Sequence, residues 1–116
     1  MILFRPAYFL LTALGLAGFM LYGSLAPELA PPGEYGFDKL LHAGAYGTLA
    51  GLGLLGTRTR GAAIAVVLLV IAYGGSIEIL QSFIPERSGS WGDFTANSLG
   101  AIAAGMVVLT WRRRWA

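Results

Sequence analysis

The stretch SIEILQSFIPERSGSWGDFTANSLG, Ser76 to Gly100, sets Glu78 and Gln81 at the end of one apolar run and Asp93 and Asn97 at the head of the next. Upstream, DKLLHAGAY opens another run with Asp38, Lys39, His42 and Tyr46. His42 is the chain's single histidine and the side chain suited to carry a proton near neutral pH; Glu78 is the alternative base. Asp38, Glu78 or Asp93 can orient the imidazole. Lys39 and Arg87 can meet negative charge on a phosphoryl or acyl group. Ser82, Ser88 and Ser90 are hydroxyls in the same stretch, but no G-x-S-x-G elbow frames them. One histidine makes a poor zinc set, and the spacing of His42, Glu78 and Asp93 matches no recognised ligand motif. With no cysteine in the chain, thiol chemistry and disulfides drop out. Neither a metal nor a cofactor is expected.

The elements that must hold these groups are membrane helices. Of 116 residues, 56% are hydrophobic and 12% charged, and the mean hydropathy is +0.67. A soluble domain carries roughly 25% charged residues, so this surface is not dressed for water. Four apolar windows, about 6–26, 37–56, 61–84 and 93–111, are each long enough to span a bilayer as a helix. They consume most of the chain as one domain over 1–116: an all-α, integral membrane four-helix bundle. The first window is longer than a signal h-region, and Pro27 after SLA is a poor cleavage context, so it is read as a membrane helix. The glycines of GTLAG, Gly47 and Gly51, and the pair Gly100 and Ala104, are expected to let helices approach closely.

Arg5, Arg58, Arg60 and Arg112–Arg114 fall on one side of such a bundle, Lys39 and Arg87 on the other. Basic residues collect in cytoplasmic loops, which predicts an N-in/C-in topology, with Trp111 and Trp115 in an interfacial belt. The basic residues sit at helix ends, so the sequence pI near 9.3 reports topology and not nucleic acid. Asp38 and His42 share a helix face. Glu78 lies two turns before Pro85, about 10 Å in at 1.5 Å per residue. Asp93 is expected to cap the last helix, with Asn97 a turn further in. Three helices thus bring polar groups to one leaflet. An ionisable group among lipid tails is costly, so Glu78 must face the bundle interior, in a polar pocket opening outward.

Three segments carry a resemblance. Asp38, Lys39, His42 and Tyr46; Glu78 and Gln81, followed by Pro85 and Arg87; and Asp93, Asn97 and Gly100 follow the pattern of VanZ-like membrane proteins, a family named from a teicoplanin-resistance protein. The likeness runs over 37–110; Gly44, Ala45 and the glycines of SGSWGD depart from the family's usual residues. It implies a multi-pass protein of the bacterial cytoplasmic membrane, in the cell envelope, with its pocket on the extracytoplasmic side. The ligand-binding set is then Asp38, Lys39, His42, Glu78, Gln81, Arg87, Asp93 and Asn97. The function expected is binding of a lipid-linked or glycolipid head group, or a glycopeptide-type ligand, connected with antibiotic resistance of the teicoplanin type. The alternatives are an extracytoplasmic lipid-head-group hydrolase or transferase, with His42 and Glu78 as its catalytic candidates, and a purely structural polar network. Membrane lipids are the expected surroundings, and an oligomer is compatible. A transporter lacks a polar path, because the inner halves of the windows are almost wholly apolar.

Overall fold

The computed structural model describes residues 6–26, 37–84 and 90–114. They form four helices in succession: α1 (Pro6–Leu25), α2 (Phe37–Leu55), α3 (Arg60–Gln81) and α4 (Trp91–Arg114). Arg5, Pro27, Pro85, Arg87, Ser88 and Trp115, all used in the sequence reading, lie outside the described residues.

α1, α3 and α4 are long and apolar enough to cross a membrane. α2 has the length, at 19 residues, but Asp38, Lys39, His42 and four glycines leave it outside that group. The packing gives the reason. α2 touches each of the other three helices, so its polar and small residues face protein where a lipid-facing helix needs hydrocarbon. The bundle as a whole is apolar outside and partly polar inside. Leu11, Leu14, Phe19, Leu69 and Val107 are 65–72% exposed, while Glu78, Gln81 and Asn97 are buried beside Ala50, Leu54 and Ile77. Water would penalise that distribution; a bilayer demands it.

The helix ends differ from the sequence expectation for local reasons. α3 begins one residue early, at Arg60, because Thr59 caps it: extended at φ −112°, ψ 155°, its hydroxyl accepts from the Ala62 amide at 3.1 Å. It stops at Gln81, and residues 82–84 close in tighter turns, with Phe83 N–H donating to Leu80 O and Ile84 N–H to Gln81 O. Pro85 follows in the sequence and disfavours a helical Ile84. α4 starts at Trp91, so Asp93 is not its cap. Ser90 is, its Oγ accepting from the Asp93 amide at 2.9 Å, which leaves the Asp93 carboxylate free to face α2.

α2 and α4 run parallel. Their first turns meet at His42 and Asn97, and their last at Leu54 and Arg112. The approach is close enough to admit only glycine at its centre: a Cβ on Gly100 would sit 2.2 Å from the Ala43 carbonyl oxygen, and one on Gly47 would sit 3.3 Å from the Gly100 oxygen. Gly51, the second glycine of the GxxxG, has open space around it. Parallel helices set like dipole ends together, positive at one end of the bundle and negative at the other. Asp38, Glu78 and Asp93 stand at the positive end, and Arg112 at the negative one.

Arg112 does more there than mark a membrane boundary. Its Nη2 donates to Leu54 O at 2.6 Å and Thr57 O at 2.7 Å, and Nη1 donates to Thr57 Oγ1 at 3.2 Å. It thereby supplies a partner to Thr57 O, just beyond α2, and adds one to Leu54 O, which also accepts from the Thr57 amide and hydroxyl. Arg112→Leu is expected to lower stability by about 2 kcal/mol, the scale of hydrogen bonds to a charged group. Arg112→Lys should recover only part, since one ammonium cannot reproduce the fork. Unfolding midpoints in detergent micelles measure both; a silent Arg112→Leu would show that these bonds stabilise nothing. α1 is tied on separately, by the Tyr73 hydroxyl donating to Ala17 O and Gln81 Nε2 donating to Ser24 O at 2.9 Å.

Candidate functional site

One turn and a half into the bundle, side chains from three helices form a continuous polar chain. Glu78 on α3 accepts at Oε2 from the Ser90 amide at 3.0 Å, and at Oε1 from Asn97 Nδ2 at 3.4 Å. Asn97 Oδ1 lies 3.0 Å from His42 Nδ1. His42 Nε2 in turn faces Asp93 Oδ2 at 3.6 Å. Asp93 Oδ1 ion-pairs with Lys39 Nζ at 2.7 Å, and the same ammonium is 2.7 Å from Asp38 Oδ2. Asp38, Lys39, His42, Glu78, Asp93 and Asn97, all expected at one end of the bundle, are joined there into one chain of contacts.

Each position has a local cause. The i, i+4 spacing stacks His42 above Asp38. Gly74 lets α3 come against both partners: a Cβ there would lie 3.0 Å from Tyr46 Cε1 and 3.3 Å from Asn97 Cβ. Asn97 is fully buried, so water does not compete for its hydrogen bonds, and Glu78 is 8% exposed. Because Asn97 offers its NH2 to a carboxylate, its oxygen is the atom left for the imidazole. That assignment makes His42 Nδ1 the protonated nitrogen.

Two sequence-selected residues are placed differently. Gln81 turns to α1 and Ser24, leaving its Oε1 buried without a hydrogen-bond partner. Lys39 is held between two carboxylates, where the sequence reading had it meeting negative charge on a phosphoryl or acyl group. Tyr46 is buried at 3% exposure, its ring 6.4 Å from that of Tyr73. Ser90 was weighed only as a hydroxyl; its amide contact to Glu78 depends on where α4 begins, which the sequence reading put at Asp93.

A cleft of about 380 Å³ opens between α3 and α4 at this end. Gly75, Ile79, Trp91 and Phe94 wall it, Ser82 and Ser90 edge it, and Glu78 is its acidic group. Trp91 and Phe94 meet edge to face, with centroids 6.3 Å apart at 78°. Glu78 thus belongs both to the buried chain and to an open apolar cleft. His42, Glu78 and Asp93 also offer one nitrogen and two oxygens lying within 4.8 Å of one another, a set able to hold a metal ion.

A bundle of apolar helices closed around an amide, an imidazole and carboxylates is a small multi-pass membrane protein with a polar site near one face. Residues 3–112 match the VanZ/LLP1 family model, nearly the whole chain, and the protein belongs to that family. No curated protein and no solved structure matches it.

Proposed function

We propose that the protein binds the head group of a membrane glycolipid or lipid-linked envelope precursor in the cleft between α3 and α4. The observation that carries this reading is Glu78: a carboxylate, 8% exposed, set in an otherwise apolar cleft walled by Trp91 and Phe94. An amphiphile fits such a place, its chain lying along Ile79 and the aromatic rings while its polar end meets the carboxylate. The charge at this end narrows the chemistry. Asp38, Glu78 and Asp93 outnumber Lys39 among the described residues, and Lys39 is already paired with two of them. The favoured group at Glu78 is a hydrogen-bond donor, such as sugar hydroxyls, over a phosphate.

The asymmetry of arginines supports N-in/C-in insertion in a bacterial cytoplasmic membrane, with the cleft extracytoplasmic. Holding a precursor there would change its display to a glycopeptide, which is how a link to teicoplanin-type resistance would arise. The hydrolase or transferase reading has less support: Ser82 Oγ donates to Ile79 O, and Ser90 Oγ accepts from the Asp93 amide. Binding is tested in nanodiscs with a neutral glycosyl diacylglycerol, undecaprenyl phosphate and teicoplanin as separate arms. The neutral glycolipid should bind, and Glu78→Gln should weaken it at least tenfold, about 1.4 kcal/mol. Equal affinity in Glu78→Gln would overturn the reading, and preference for the phosphate would overturn its hydroxyl chemistry.

A further inference from the structure

We propose that His42, Glu78 and Asp93 form a binding site for a divalent transition-metal ion, Zn2+ or Mn2+, where α2, α3 and α4 meet. One imidazole nitrogen and two carboxylate oxygens, one from each helix, lie within 4.8 Å of one another. Ligands about such an ion stand about 3.4 Å apart at bond lengths near 2.1 Å, so binding draws the three helices slightly together. The imidazole favours a first-row transition ion over magnesium or calcium, and three protein ligands leave a coordination position for water.

The geometry around the imidazole calls for a cation. Asn97 Oδ1 accepts from Nδ1, which leaves Nε2 aimed at Asp93 Oδ2 across 3.6 Å, beyond hydrogen-bond length. In the neutral imidazole the Nε2 lone pair and the carboxylate face each other, and an ion between them would be coordinated by both. Each ligand also has an outer partner fixing it: Asn97 holds His42, the Ser90 amide holds Glu78, and Lys39 holds Asp93. Such support is what orients metal ligands.

A further buried group lies at this level. The Tyr46 hydroxyl, on a residue 3% exposed, has no hydrogen-bond partner. The Tyr46 ring and Asn97 both pack against Gly74, and a metal-bound water reaching the hydroxyl would supply its partner. Charge agrees, since among the described residues three carboxylates stand here against one ammonium. The spacing within the sequence hides the set because its members are 36 and 15 residues apart along the chain, at positions 42, 78 and 93.

The test uses tag-free protein in detergent micelles, stripped with chelator and re-equilibrated with Mn2+ or Co2+, with no lipid ligand added. One ion per chain is expected, displaced by Zn2+. Because His42 is the only histidine, nitrogen modulation in the Mn2+ electron spin echo identifies it without any substitution. His42→Gln and Asp93→Asn should each weaken binding at least tenfold with helicity unchanged, while Gln81→Ala should leave it intact. Failure of the wild-type protein to take up one ion, or uptake without imidazole coupling, would overturn the site. Since no lipid is present, neither result depends on the binding proposed for the cleft.

Discussion

Gly100→Ala is expected to destabilise the bundle by about 3 kcal/mol, the upper range for forcing atoms into a packed site, and Gly100→Leu to leave no folded protein. The new methyl would lie 2.2 Å from the Ala43 carbonyl oxygen and 3.0 Å from its carbon. These are backbone atoms of a neighbouring helix, which no rotamer change can remove. Relief requires α2 and α4 to separate, and that separation also pulls His42 from Asn97. Gly51→Ala is the paired control. Gly51 is helical with nothing near its Cβ position, so alanine should be neutral or stabilising by up to about 1 kcal/mol through its better helix propensity. Unfolding midpoints in micelles compare the two. Equal midpoints for Gly100→Ala and Gly51→Ala would mean that the close crossing of α2 and α4 does not form.

The same pair shows how far the sequence could be read. GTLAG advertised a close helix approach, and one occurs, but Gly47 makes it and Gly51 does not. Spacing locates a small-residue face; only the crossing point decides which glycine is in contact. Hydropathy and turn residues located the four helices to within about three residues at each end, since a run of hydrocarbon side chains has few other uses. The polar residues at one end were legible as well, because an ionisable group in a membrane helix must seek the interior. Partner choice was not legible. Gln81 lies three residues from Glu78 and was assigned to the same cluster, yet α1 supplies its partner at Ser24. Arg112 was read as a topology marker, a property of charge alone, while its fork reaches α2 carbonyls that sequence periodicity does not represent. Ser90 was missed as a cap because Asp93 is an equally good capping residue by type.

The parallel pairing of α2 and α4 gives the polar end its logic. Two helix amino termini converge there, and their unpaired amides favour negative charge nearby. Asp38 and Asp93 lie in those first turns, and Glu78 approaches from the antiparallel α3 to accept the Ser90 amide at the head of α4. Carboxylates are therefore stabilised in this leaflet by backbone as well as by Lys39. At the opposite end the helix carboxyl termini favour cations, and Arg112 is the one whose guanidinium bonds to Leu54 O and Thr57 O. This polarity lets a chain with few charges keep three acids near one another, and it sets up the acidic cleft.

Asn97 is the residue whose loss should disturb that arrangement most. It is fully buried and touches both Glu78 and His42. Its amide donates to one and accepts from the other, a double role that neither a carboxylate nor an alkyl group can fill. Asn97→Leu keeps the volume and orphans two buried partners, at about 1–3 kcal/mol for each group left unsatisfied. A loss of about 3 kcal/mol is expected, the stronger share from His42 at 3.0 Å and the weaker from Glu78 at 3.4 Å. Asn97→Asp keeps the shape as well, but sets an acceptor against Glu78 and should be nearly as damaging. Gln81→Leu should cost only about 1 kcal/mol, because it breaks one bond to Ser24 and also removes an oxygen that had no partner. A double variant, His42→Ala with Asn97→Leu, should cost less than the two single changes together, since the orphaned imidazole is then gone. Strict additivity would show that the imidazole and the amide do not interact. A harmless Asn97→Asp would show that Glu78 needs no donor from residue 97, since an aspartate still accepts from His42 Nδ1.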